Sequence, residues 1–207
     1  MYTLSKTIFN LLALGDSYTI GESLVLTDSF PYQVVQHLRQ KGIAANAPEM
    51  IAKTGWTTDE LQRAMQEHTF LPAYDFVTLL IGVNNQYRGR SVHNYQTEFE
   101  LLLQQAVQLT GGDPGHLVIL SIPDWGVTPF AAGKDLQKIS LEIDAFNDVN
   151  RNLALQYQCH YIDITAGSRE ALHQPSLIAA DGLHPAATEY QRWAKKISEL
   201  IFSNLQG

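Results

Sequence analysis

The 207-residue sequence has one cysteine, only fourteen lysines and arginines together, and no uninterrupted apolar run near the roughly 18 residues that span a bilayer. Each scarcity excludes something. Cys159 has no second cysteine to pair with, so folding does not rest on an internal disulfide or an oxidising compartment. Its place just before an apolar run marks it as an inert core thiol. The cations are scattered, and the acidic residues outnumber them to give a net charge of −7, so no basic footprint for nucleic acid or an anionic membrane surface is present. Neither HExxH nor a Cys/His ligand pattern occurs, and no metal or other cofactor is expected.

What the chain does have is 45% apolar composition without repeats or low-complexity tracts, which suits one domain over residues 1–207. The first fourteen residues contain one lysine and the apolar run Ile8 to Leu14, with no small-residue cleavage site after it, so the run is read as a first strand rather than a leader. The expectation is a soluble, cytoplasmic protein, with a secreted or periplasmic location open if a signal peptide has been removed. Oligomeric state is left open.

Short apolar runs alternate with stretches of helical period. The predicted strands are Ile8 to Leu14, a weak one at Glu49 to Ala52, Phe76 to Ile81, Leu117 to Ile122 and His160 to Ile164. Their near-continuous apolar character implies cover on both faces. Between them, apolar stripes mark helices at Leu61, Ala64 and Met65; at Tyr95, Phe99, Leu102, Leu103 and Ala106; and at Ile139, Phe146, Val149 and Leu153. A last stripe runs through Tyr190, Trp193, Ala194, Ile197 and Ile201. Right-handed crossovers then give a three-layer α/β/α sandwich around a mainly parallel five-stranded, flavodoxin-like sheet, with ligands beyond the carboxyl ends of its strands.

Four loops carry chemistry at those ends. Gly15-Asp16-Ser17 follows the first strand, but turn and cap roles suit these residues equally well, and a serine hydroxyl is a poor nucleophile without a base. Among seven histidines, His184 stands apart in Asp181-Gly182-Leu183-His184-Pro185, where an aspartate three residues back can reach Nδ1 and leave Nε2 free. Pro185 suits the first position of the helix that follows. His37 and His68 fall in predicted helices, and His160 begins a strand. Gly55, before Trp56 and a helix capped by Thr57 or Thr58, lets the backbone N–H approach a ligand; the side-chain amide of Asn84, in Gly82-Val83-Asn84-Asn85, can point at developing negative charge. A nucleophile, an oriented base and oxyanion donors together are what acyl transfer requires.

In order and placement, Gly15-Asp16-Ser17, Gly55, Gly82-Val83-Asn84 and Asp181-Gly182-Leu183-His184-Pro185 resemble the four blocks of the SGNH/GDSL hydrolase superfamily, across residues 15 to 185. The resemblance implies the SGNH hydrolase fold and a serine esterase acting on a small-molecule ester. It implies that Ser17 attacks, that His184 is general base and then acid, and that Asp181 orients it. It also implies an oxyanion hole of the Ser17 and Gly55 backbone N–H groups and the Asn84 side chain. One departure is Asn85, where the family commonly has Asp, which puts the hydrogen bonding of that loop in question.

Trp56, beside an implied oxyanion donor, and Trp125, Val127 and Phe130, in a Pro- and Gly-punctuated loop, are candidate pocket residues for a lipid-like or short-chain acyl group. Carbohydrate O-deacetylation and thioester hydrolysis would use the same site. Two non-enzyme readings compete: a silent SGNH fold, disfavoured by the intact Ser, Asp and His, and a flavodoxin-like binding protein. The absence of Lys or Arg from Gly15 to Tyr32 argues against the second, because a phosphate would meet only Asp16 and Glu22 there.

Overall fold

Runs of leucine, valine and isoleucine form five parallel strands in a computed structural model that describes residues 8–206. They are β1 (Leu11–Gly15), β2 (Glu49–Ala52), β3 (Phe76–Leu80), β4 (Leu117–Leu120) and β5 (His160–Ile162), and the sheet order is β2-β1-β3-β4-β5. The central three are wholly buried, whereas β2 at one edge and most of β5 at the other are partly exposed. Register is in phase from β1 to β3, where Leu11 pairs with Phe76 and Gly15 with Leu80.

β2 has the bounds expected; the other four match their runs but are shorter, the first starting later and reaching Gly15, because side chains take over the ladder at strand ends. Ile8 is exposed, Phe9 makes only an isolated bridge to Ala45, and the Asn10 N–H donates to the Asp75 carboxylate at 2.6 Å, so the first strand starts at Leu11. At the other ends, the N–H of Ile122 turns to Asn147 Oδ1 (2.7 Å), that of Ile164 turns to Ser121 Oγ (2.8 Å), and the Ile81 carbonyl accepts from Tyr95 (2.9 Å). The leader reading of the N-terminus falls partly on residues 1–7, outside those described.

Helices cover both faces. On one, α2 (Phe30–Gln40) packs against α8 (Ala187–Asn204); on the other, α5 (Val92–Leu109) packs against α3 (Thr58–Glu67) and α6 (Leu136–Tyr157). The expected stripes of α5, α6 and α8 are buried, with Ile143 added in α6; in α3, Leu61 and Met65 are buried and Ala64 only partly so. Two predicted placements shift. His68 lies just past α3, where it meets Glu49 at 2.7 Å, and Pro185 is not the first helical residue, because it bridges Ile178 while Ala186 caps α8. No helix among the described residues is long and apolar enough to cross a membrane.

The order reverses direction at β1: the chain steps from β1 to β2 on one side, then to β3 on the other. The loops after β1 and β3 therefore part and leave a crevice at their carboxyl ends.

Candidate active site

Close approach explains the first loop. A Cβ on Gly15 would lie 2.1 Å from Thr19 Oγ1 and 2.3 Å from the Leu80 carbonyl oxygen, so glycine alone lets the chain turn from β1 directly into the short helix α1 (Ser17–Ile20). Asp16 caps that helix by accepting from the Tyr18 N–H at 3.0 Å, and Ser17 follows as its first residue, buried at the crevice floor. Asp16 itself is almost wholly buried; burial pushes its carboxyl up to about 7, although hydrogen bonds from Tyr18 and Asn84 pull the other way.

After β2, the turn places Gly55 at φ +83°, in the left-handed region, and Thr57 closes a capping box with Glu60 at the start of α3. After β3, Gly82 at φ +134° precedes α4 (Val83–Tyr87); a Cβ there would meet the Tyr95 hydroxyl at 2.6 Å and its ring at 2.8 Å. Asn84 in α4 donates its amide to Asp16 Oδ2 (3.2 Å) and to the Trp56 carbonyl (3.0 Å), which ties the loops after β1, β2 and β3 together.

The fourth loop, before α8, carries His184. His184 is buried, its Nδ1 is 2.6 Å from Asp181 Oδ2, and its ring centroid is 5.0 Å from that of Tyr18. Asp181 Oδ1 accepts from the N–H groups of Leu183 (2.9 Å) and His184 (3.0 Å), and Oδ2 also accepts from Ser23 Oγ (2.6 Å). Burial works to raise the Asp181 carboxyl, but these hydrogen bonds outweigh it and hold the group well below the usual carboxylate range. The phenol of Tyr18 is pushed up by burial and then by the charges of Asp16, Asp181 and Asp124, so it stays neutral.

These residues share one cleft of about 150 Å³, lined by Ser17, Gly55, Asn84 and His184 with Val83, Tyr87, Trp125, Phe130 and Leu183 among its apolar wall. Every residue implied for catalysis or the oxyanion hole thus borders it except Asp181, which stands behind His184. Of the candidate pocket residues, Trp125 and Phe130 line the cleft. Trp56 does not: it packs partly buried against the core and meets the site only through its carbonyl. Val127 is likewise off the cleft.

Tyr87 was missed by the sequence reading. Its ring lies 5.3 Å from Trp125 and 6.1 Å from Phe130, centroid to centroid, which completes an aromatic wall. The available signal was its helical spacing, three residues after Asn84. Trp125 is oriented by its own N–H on Gln86 Oε1 (2.7 Å), and the Phe130 N–H donates to the Gly182 carbonyl (3.0 Å), so the wall is pinned to the His184 loop.

Asn85 has a physical reason to be an amide. It is fully buried, its Oδ1 accepts from the Thr58 N–H (3.1 Å), and its Nδ2 donates to Thr58 Oγ1 (2.6 Å), while that hydroxyl donates to Glu98. A carboxylate at position 85 would lose the donor and face Glu98.

A sequence model of the GDSL-like Lipase/Acylhydrolase family matches residues 13–192. No curated protein matches the sequence. Among solved structures, a lipase/acylhydrolase from Enterococcus faecalis superposes with a TM-score of 0.76 at 16% identity, over 95% of this chain and 97% of that one. An acetylxylan esterase from Geobacillus stearothermophilus gives 0.73 at 18% identity, over 93% and 94% of the two chains. A psychrotrophic esterase from Pseudoalteromonas sp., solved inhibited by monoethylphosphonate, gives 0.68 at 14% identity, over 96% and 99%. At these identities the structures share the fold.

Proposed function

From the premise that the chain belongs to the GDSL-like lipase/acylhydrolase family and is a carboxylic ester hydrolase, we propose that it cleaves esters of small acyl groups through an acyl-enzyme on Ser17. The observation that carries this reading is the 2.6 Å His184–Asp181 pair in a loop whose histidine borders the same cleft as Ser17, Gly55 and Asn84.

In the first half-reaction Ser17 Oγ bonds to the ester carbonyl carbon while its proton passes to His184 Nε2. The carbonyl oxygen becomes an oxyanion, held by the N–H groups of Ser17 and Gly55 and by the Asn84 amide. That amide gives up or shares the longer of its two bonds, the 3.2 Å contact to Asp16. Collapse expels the alcohol, which takes the proton from His184. In the second half, water gives a proton to His184, adds to the acyl carbon and releases the acid, and Ser17 regains its proton. Asp181, fixed by four hydrogen bonds, holds the Nδ1 proton in place and stabilises the imidazolium in both halves.

The size and lining of the cleft support a short acyl chain. Its 150 Å³ is about that of an apolar cavity that takes one benzene ring, and the wall of Tyr87, Trp125 and Phe130 is apolar. The test is hydrolysis of p-nitrophenyl esters from acetate to long acyl chains by wild type and Ser17→Ala, with an acetylated xylooligosaccharide and an acyl thioester as further substrates. Activity that peaks at short chains and disappears in the variant supports the reading. An equally active Ser17→Ala defeats the mechanism, and preference for the sugar ester or thioester reassigns the substrate to the deacetylase or thioesterase alternative.

A further inference from the structure

Resting on that reading of the site, we propose that Ser23 is a positioning residue that locks the Asp181–His184 pair to the turn carrying the nucleophile. Its hydroxyl donates to Asp181 Oδ2 at 2.6 Å, the same oxygen that meets His184 Nδ1 at 2.6 Å, across 158 residues of sequence. Ser23 holds φ +68°, a left-handed backbone that residues with a side chain seldom adopt. That conformation aims the hydroxyl at the far loop.

Ser23 is also rigidly connected to Ser17. The N–H groups of both Gly21 and Glu22 return to the Ser17 carbonyl, and that of Leu24 to the Gly21 carbonyl, so the segment from nucleophile to Ser23 is one hydrogen-bonded turn. Without the Ser23 bond, Asp181 is held only by groups of its own loop, the N–H groups of Leu183 and His184 and the imidazole. The Ser23 bond is thus the hydrogen bond that ties Asp181 to the nucleophile's turn, beside the ring contact of Tyr18 with His184. Hydrogen bonds to a charged acceptor are the stronger kind.

The titratable groups facing His184 are few. Asp181 is on its own loop, Tyr18 comes from α1, and Asp124 and Glu189 border the small void of about 20 Å³ beside its ring. Asp124 is paired with Arg169 at 2.9 Å and Glu189 with Arg192 at 2.9 Å. Asp181 is therefore the direct charge partner of the imidazole, and a change in its hydrogen bonding is read through the base.

The experiment compares wild type, Ser23→Gly and Ser23→Ala, with Ser17→Ala alongside. Glycine accepts φ +68° and deletes the hydroxyl without backbone strain; alanine deletes the hydroxyl and keeps the strain. Both variants are expected to lose about tenfold in kcat with KM unchanged, as fits one hydrogen bond to a charged group in an exposed setting. The acid limb of the kcat/KM profile is expected to move to higher pH, because Asp181 with one donor fewer holds the imidazolium more tightly. The low-field proton NMR signal of the His184 Nδ1–H, readable without turnover, is expected to shift in both. If Ser23→Gly retains the wild-type kcat, pH profile and resonance, the proposal is overturned. Loss in Ser23→Ala alone also overturns it, since the backbone rather than the hydroxyl would then matter. An active Ser17→Ala would remove the hydrolytic mechanism instead, and the resonance would still decide whether Ser23 acts on the pair.

Discussion

Replacing Asp16 with asparagine removes a carboxyl that burial raises from 3.8 to about 7. The folded chain keeps this proton to near neutrality, whereas the unfolded chain releases it near 3.8. The stability it contributes is therefore fully present below that lower value and is lost as pH rises through the upper one. At 1.36 kcal/mol per pKa unit the interval is worth up to about 4 kcal/mol. Asp181, held low, has the opposite sign, since its contribution is lost as pH falls, so a wild-type curve mixes the two. The difference between wild type and Asp16→Asn isolates Asp16. Urea unfolding of both proteins from pH 4 to pH 8 is expected to show the variant gaining on wild type by up to about 4 kcal/mol across that span. Whatever constant offset comes from facing an amide toward Asn84, the slope is the signal. A difference that does not change with pH refutes the reasoning. The same proton bears on catalysis: an ionised Asp16, 3.2 Å from the Asn84 amide, opposes negative charge on the oxyanion. Wild-type kcat is expected to decline above neutrality, and that decline should be absent in Asp16→Asn.

Three further outcomes follow from named contacts. Asn84→Ala is expected to fold and to lose about 10²–10³ in kcat, the usual cost of one oxyanion donor; full turnover would show that the donor is assigned wrongly. Asn85→Asp is expected to lose about 3 kcal/mol or more, more at pH 8 than at pH 5, because a buried charge would stand against Glu98 through Thr58; equal denaturation midpoints at pH 8 would count against the network. Phe130→Ala removes one side of the aromatic wall and should shift acyl preference toward longer chains in the p-nitrophenyl series, an expectation that an unchanged ranking would defeat.

The fold was legible because its signals are local. Apolar runs marked β1 to β5, stripes such as Tyr95, Phe99, Leu102, Leu103 and Ala106 marked helix faces, and the alternation of the two fixed the class. Strand ends were not legible, since they depend on distant side chains: Asp75 takes the N–H of Asn10, and Asn147 that of Ile122. The site divides the same way. Ser17, Gly55, Asn84 and His184, each read from a short motif, border one cleft, with Asp181 behind His184. Ser23 was missed because a hydroxyl two residues past Gly21 has no meaning until Asp181 is folded against it. Trp56 misled for the converse reason: adjacency to Gly55 in sequence does not place its ring in the cleft, because residue 56 turns inward to the core while its carbonyl receives Asn84.

In the proposed mechanism the oxyanion donors come from separate loops, so what fixes their spacing is a set of bonds between loops, and Arg88 supplies one of them. It follows α4 directly and donates to the Gly55 carbonyl at 2.6 Å, while Asn84 donates to the next carbonyl, that of Trp56, at 3.0 Å. The two peptide units that follow the Gly55 N–H are thus anchored from α4 and the residue after it, which holds the turn that carries this N–H. Arg88 also faces Glu60 at 3.3 Å, but its side chain is 44% exposed, and a pair so exposed contributes little stability. Orientation is what remains. Arg88→Met is therefore expected to keep its unfolding midpoint within about 0.5 kcal/mol of wild type and to lower kcat about fivefold, a fraction of the cost of deleting a donor outright, with KM unchanged. Arg88→Lys should recover only part of the loss, because a flexible point charge does not reproduce the planar fork. Steady-state kinetics on the preferred p-nitrophenyl ester decide the matter: a raised KM at constant kcat would mean that Arg88 holds substrate rather than the turn.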